Sequence, residues 1–226
     1  MGNVTHLWGI FLGTVIGLLP IINPLSAGPT FLAITEGDTA ERRREQARKG
    51  CLYMVAILVS FLIGGTFIMN FFGISIPGLR IAGGILLTGI GMTMLSSQKA
   101  QLKESDEERE AARRKVDISF SPLAMPMLSG PGSIAVTLGF TSLATGWIDY
   151  VAIIAGIVSV ALITYLVLRI SGRLVLFIGP VGVNAMTKIM GFLIMCMGVQ
   201  FVVNGILGIA TDPELLRGIK AVLAGH

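Results

Sequence analysis

Pro20, Pro24, Gly28, Pro29, Ala33 and Thr35 recur 102 positions later as Pro122, Pro126, Gly130, Pro131, Ala135 and Thr137, and both sets lie in stretches apolar enough to cross a membrane. A proline inside a helix removes a backbone donor and clashes with the carbonyl four residues back. Three of them in a lipid-facing span would strand polar groups in hydrocarbon, so such a stretch is tolerated only where it lines a cavity. A matching pair of interrupted helices, one in each half of a chain, is the sequence mark of a secondary transporter's substrate site.

The first copy reads Asn23, Pro24, Leu25, Ser26, Ala27, Gly28, Pro29, Thr30, and the second reads Pro126, Met127, Leu128, Ser129, Gly130, Pro131, Gly132, Ser133. Proline suits the first turn of a helix, and serine or glycine the position before it, so half-helices are expected to begin near Pro29 and near Pro131. A helix start offers unbonded amides and the positive end of the dipole, which together hold a small carboxylate without a charged side chain. The hydroxyls of Ser26, Thr30, Ser129 and Ser133 and the amide of Asn23 would serve an ammonium group or a coupling cation. These residues, with Pro24, Gly28, Pro29, Gly130, Pro131 and Gly132, form the candidate substrate site. Their small side chains restrict the cargo to a small solute. The competing reading is that the prolines and glycines only kink two helices that cross tightly. Asn70, Thr137, Gln200 and Asn204 are polar candidates of second rank, since amides commonly join membrane helices.

The elements that must position these residues follow from composition. The 226 residues are 53% hydrophobic and 13% charged, with a mean hydropathy of +0.81, whereas soluble domains carry roughly 25% charged residues. An integral membrane protein is expected, with six spans near 7–35, 50–72, 76–95, 121–141, 149–169 and 187–209. The first is too long for one straight helix and should break near its prolines. The 29 glycines are expected where backbones approach closely, Gly13 and Gly17 forming one GxxxG pair. The first apolar run reads as a retained span, because it lacks the basic start of a cleaved leader. Residues 171–186, rich in glycine, read as a loop or a shallow interfacial piece.

Basic residues divide unevenly between the two sides. Five lie in 36–49, six in 96–120, and Arg169, Arg173 and Lys188 flank the fifth loop, leaving only Arg80, Arg217 and Lys220 of the 17 for the other side. Cytoplasmic loops accumulate Lys and Arg, so the basic side is expected inside and both termini outside. With three spans per half, the second half enters in the opposite direction. Arg80, Ile81 and Gly83 open the third span much as Lys188, Ile189 and Gly191 open the sixth. The expected units are therefore 1–95, a charged cytoplasmic linker over 96–118, and 119–226 as the inverted second repeat. The alternating charges of Lys99 to Asp117 suit a solvated helix and carry no chemistry. The basic stretch Glu41 to Lys49 reads as a topological signal rather than a nucleic-acid surface.

Other chemistries find little support. The histidines, His6 and His226, sit at the chain ends, and Ser129 follows Leu128 rather than the glycine of a nucleophile elbow, so no catalytic residue is assigned. Cys51 and Cys196 stand alone in apolar runs, which points to packing and to no metal or disulfide. No ionisable side chain falls well inside a span, which favours a neutral or zwitterionic cargo over a proton pump. No cofactor is expected. Coupling to Na+ or H+ and assembly into a homo-oligomer are left open, and the lipid bilayer is the surrounding partner.

The stretches NPLSAGPTF (23–31), FGISIPGLRIAGG (72–84), PLAMP (122–126), GPGSIA (130–135) and MGFLIMCMGVQFVVNGI (190–206) resemble the MarC family. The resemblance implies a six-span protein of the bacterial inner membrane, and it implies transport of small neutral amino acids such as glycine and alanine, an activity described for some members. Lys188 departs from it where arginine is expected. Taken together, the expectation is an all-helical secondary transporter of two inverted three-helix repeats with broken first and fourth helices, working by alternating access. A channel or exporter for another small solute, or a non-transporting scaffold or regulatory protein, is the alternative.

Overall fold

The computed structural model describes residues 2–96, 117–141, 144 and 146–212. Among them there are helices and no strands. The expected linker helix, the basic residues of 97–116, and Arg217, Lys220 and His226 lie outside the described residues.

Helix α1 (Gly2–Ile22) is followed by the short α2 (Pro24–Ile34). The break sits at Asn23, whose φ of 42° is left-handed, a conformation that asparagine tolerates better than most residues. Pro24 then occupies the first helical position, where its missing N–H costs nothing. The half-helix thus starts at Pro24 and not near Pro29, which lies inside α2. An asparagine side chain that caps its own helix outweighed the pattern of serine and glycine before Pro29.

Helix α3 (Ala40–Phe72) begins at a Thr39 cap and ends at Gly73, whose φ of 65° closes it. It starts ten residues before the expected span, because the basic stretch is helical as well. Helix α4 (Ile76–Leu95) matches its expected span.

In the second half, α5 (Ser119–Leu128) is a wide, irregular helix with extended backbone at Ser121 and Met125. Both residues precede a proline, whose ring pushes its neighbour out of the helical region. Helix α6 (Pro131–Thr141) starts at the expected proline and is bent 64° from α5.

The helical run Trp147–Ala210 is interrupted at Gly179, where φ is 69° and ψ 168°. It divides there into α7 (Trp147–Gly179) and α8 (Val181–Ala210). Residues 171–186 are therefore helix on both sides of one sharp break rather than a loop. Among the described residues five helices are long and apolar enough to span a membrane, six if the bent pair α5–α6 is counted as one span.

The core is Leu18, Leu58, Leu62, Leu87, Leu123, Ile153 and Ile157, all fully buried. Around it α1 lies parallel to α7. His6 approaches Asp149 to 3.5 Å at one end, and further along a Cβ on Gly156 would meet Thr14. Helix α3 likewise runs alongside α5 and α6, Gly50 against Leu123 and Gly65 against Leu138.

Helices α4 and α8 pack antiparallel with almost nothing between their backbones. Gly84 faces Gly198, Gly91 faces Gly191, and Pro77 faces Gly205, at seven-residue spacing on both helices. A Cβ on Gly84 would lie 2.5 Å from the Gly198 carbonyl oxygen, and one on Gly91 2.6 Å from that of Gly191. A Cβ on Gly13, by contrast, would meet nothing within 4 Å, and one on Gly17 would meet only side-chain atoms of Phe140, the nearest at 3.2 Å, and of Val136. The close approach expected at that GxxxG pair is found on α4 and α8 instead.

Candidate functional site

At the first break the polar atoms form an ordered relay. The Asn23 Oδ1 accepts from the Ser26 amide at 3.4 Å, and its Nδ2 donates to Ser26 Oγ at 2.8 Å. Ser26 Oγ pairs with Thr187 Oγ1 on α8. Thr187 in turn donates to the Val183 carbonyl at 2.9 Å. Its one proton is thus committed, so Ser26 donates to Thr187 and the run goes Asn23 to Ser26 to Thr187 to Val183. Thr187 was not anticipated. It stands 161 residues from Ser26, and only the three-dimensional packing of α2 on α8 brings it in. Gly28 faces Ser171, whose Cβ would be 3.3 Å from an added methyl. Leu25 and Gly28 share a narrow gap with Ser171, Val183 and Met186. Pro29 and Thr30 are half-buried on the same half-helix.

The second break is less satisfied. Ser133 Oγ donates to the Gly130 carbonyl at 2.9 Å, and Thr137 Oγ1 to that of Ser133 at 2.8 Å. The Ser129 amide is bonded to the Ala124 carbonyl at 2.8 Å, but the Ser129 hydroxyl is fully buried and has no hydrogen-bond partner among the described residues. It directly precedes Gly130 and the first turn of α6, where the amides of Gly132 and Ser133 have no acceptor within the helix. Leaving a buried hydroxyl unpaired costs about 1–3 kcal/mol. Gly132 packs against Ile90, Leu87 and Ile21, and so links the second break to α4 and to the end of α1. Pro131 is exposed.

A cavity of about 260 Å³ opens between the glycine faces of α1 and α6, lined by Gly13, Gly17, Gly139, Phe140 and Phe201, with Arg80 and Asn204 as its polar side chains. Sequence reasoning located the hollow at the prolines, and the glycines of α1 and α6 were its unread signal. Of the second-rank residues, Asn204 lines this cavity and accepts from Gln200 Nε2 at 2.9 Å, so the two amides bond each other along one helix. Asn70 is exposed at the end of α3.

Away from the breaks, a polar clasp ties α3 to α5. The buried Gln46 Oε1 accepts from the Ile118 amide at 3.2 Å. Asp117 accepts from both the amide and the hydroxyl of Ser119, which holds its carboxyl below the usual range. Lys49 bridges Glu45 at 2.9 Å and Asp117 at 3.9 Å. The Lys49 hydrogen bond lowers the Glu45 carboxyl and raises the lysine. Among the described residues no group of His, Cys, Asp and Glu could hold a metal ion.

No solved structure matches this chain. Inner membrane protein MarC of Citrobacter koseri is 39% identical over 211 residues, which are 88% of this chain and 95% of that protein. The protein of the same name from Salmonella typhimurium matches with the same identity and coverage, as does that from Escherichia coli O1:K1. Residues 8–210 match the model of the MarC family of integral membrane proteins. With the repeated proline breaks and the spanning helices inside those bounds, the chain belongs to the MarC family of integral membrane proteins.

Proposed function

We propose that this protein is a secondary transporter of the inner membrane that moves small neutral amino acids, of the glycine and alanine class, by alternating access. The single observation that carries this reading is the buried, unpartnered Ser129 hydroxyl at the start of α6, inside a proline motif whose other copy also breaks a helix. A buried hydroxyl without a partner at an interrupted helix is a group that a polar solute would bond. The 260 Å³ cavity between α1 and α6 falls below the usual range for drug-sized ligands. Arg80 at its polar end suits a carboxylate.

An inverted repeat underlies the proposal, and its support is the pairing of helices. If α1 and α2 correspond to α5 and α6, α3 to α7, and α4 to α8, then the parallel packing of α1 on α7 has its counterpart in α5 on α3. The contact of α2 with α8 through Ser26 and Thr187 has its counterpart in α6 on α4, where Gly83 meets Ala135. The antiparallel α4–α8 seam is its own counterpart. The inner-membrane location rests on the names of the relatives.

Flux of labelled glycine or alanine into proteoliposomes tests the reading. The protein should give uptake above empty vesicles, and Ser129→Ala should cut it at least tenfold. No flux of either amino acid under a sodium or a proton gradient would overturn it.

A further inference from the structure

Four guanidinium groups surround a second, larger cavity that the transport reading does not use. It has a volume of about 590 Å³ and lies between the first turns of α3, which carry Arg43 and Arg44, and the last third of α7, which carries Arg169 and Arg173. Arg169 and Arg173 are one turn apart on one face, where like charges repel. Arg42 is paired with Asp38 at 3.3 Å, but among the described residues none of the four cavity arginines is in an ion pair with a carboxylate. Among the described residues no acidic side chain lines the cavity. Arg43 donates one Nη2 bond to the Thr35 carbonyl at 3.1 Å, while its Nε is buried with no partner among the described residues.

A planar guanidinium matches phosphate oxygens two at a time, and a dianion among four such groups would relieve both their repulsion and the orphaned Nε. Apart from Ser171 the rest of the described lining is apolar, with Leu166, Ile170 and Leu176 open to the surroundings, and the next residue, Phe177, is 91% exposed. A polar, cationic mouth above a lipid-facing apolar wall fits an amphiphile. The charge asymmetry assigns this end to the cytoplasmic leaflet, whose acidic lipids basic pockets between helices select. We propose that the Arg43, Arg44, Arg169 and Arg173 cavity binds a phosphate-bearing anion, supplied by the headgroup of an acidic phospholipid.

The full-length protein, stripped of lipid in a neutral detergent, is melted with cardiolipin, phosphatidylcholine or inorganic phosphate added. Native mass spectrometry of the same samples reads retained lipid. Cardiolipin should raise the midpoint by roughly 5 °C and remain bound. Both effects should be lost in the Arg169→Gln/Arg173→Gln double variant, whose side chains are exposed, and kept in Arg48→Gln, which lies outside the cavity. A shift with inorganic phosphate that the double variant abolishes would keep the anion site and make its source soluble. No shift with either anion, an equal shift with phosphatidylcholine, or a cardiolipin shift that survives the double variant or is lost equally in Arg48→Gln would overturn the proposal.

Discussion

The serines at the two helix breaks, Ser26 and Ser129, sit in opposite hydrogen-bonding states. Ser26 is held in a relay that reaches α8, whereas Ser129 is sealed in with nothing to bond. This difference separates structural from functional roles by a stability measurement. Removing the Ser129 hydroxyl takes away an unpaired group, so Ser129→Ala should leave the melting midpoint unchanged or higher while flux falls, as neutral or favourable removal of unsatisfied polar atoms predicts. A matched loss of stability and flux would make Ser129 a packing residue. Gln46 is the reverse case: Gln46→Ala leaves the buried Ile118 amide unpaired and should cost about 1–3 kcal/mol, read as a lower midpoint in detergent. Of the candidate residues, those adjacent in sequence were legible, because Asn23 and Ser26 act within one helix turn. Thr187 and Ser171 were not, since a lone Thr or Ser in an apolar run carries no sign of which distant helix it will face.

At the scale of elements, the breaks were readable and their exact positions less so. Proline's restriction of the preceding residue accounts for the extended backbone at Ser121 and Met125, and it made α5 irregular as its sequence implies. The start of α2 moved to Pro24 because Asn23 could adopt a left-handed backbone and cap the helix, a local option that the Pro and Gly spacing does not report. Glycine spacing misled for a related reason. It marks a face without bulk, but not whether that face meets another backbone, as at Gly91, or a void, as at Gly13. The two cases predict opposite outcomes. Gly91→Ala or Gly198→Ala must push backbones apart and should cost about 1–3 kcal/mol, measured as a lower midpoint. Gly13→Ala, with open space around it, should be neutral or gain up to about 1 kcal/mol from helix propensity.

For the molecule as a whole, hydropathy located the five helices of spanning length among the described residues and the bent α5–α6 pair, because the bilayer imposes a minimum length and forbids unpaired backbone. The Gly179 break escaped it, since a helix can run on past the hydrocarbon before it turns, as α7 does. The basic asymmetry predicts sidedness. In a background of Cys51→Ala and Cys196→Ala, a membrane-impermeant thiol reagent applied to intact cells should label Trp147→Cys and leave Arg48→Cys untouched. Labelling of Arg48→Cys alone would invert the topology. The seam between α4 and α8 has one more implication. A junction made of main-chain atoms has no rotamers to rearrange, so it cannot slip by small repacking steps as a leucine-filled surface can. Under the proposed alternating access it would be a fixed axle, about which the half-helices seated on either side would turn, α2 on α8 and α6 on α4.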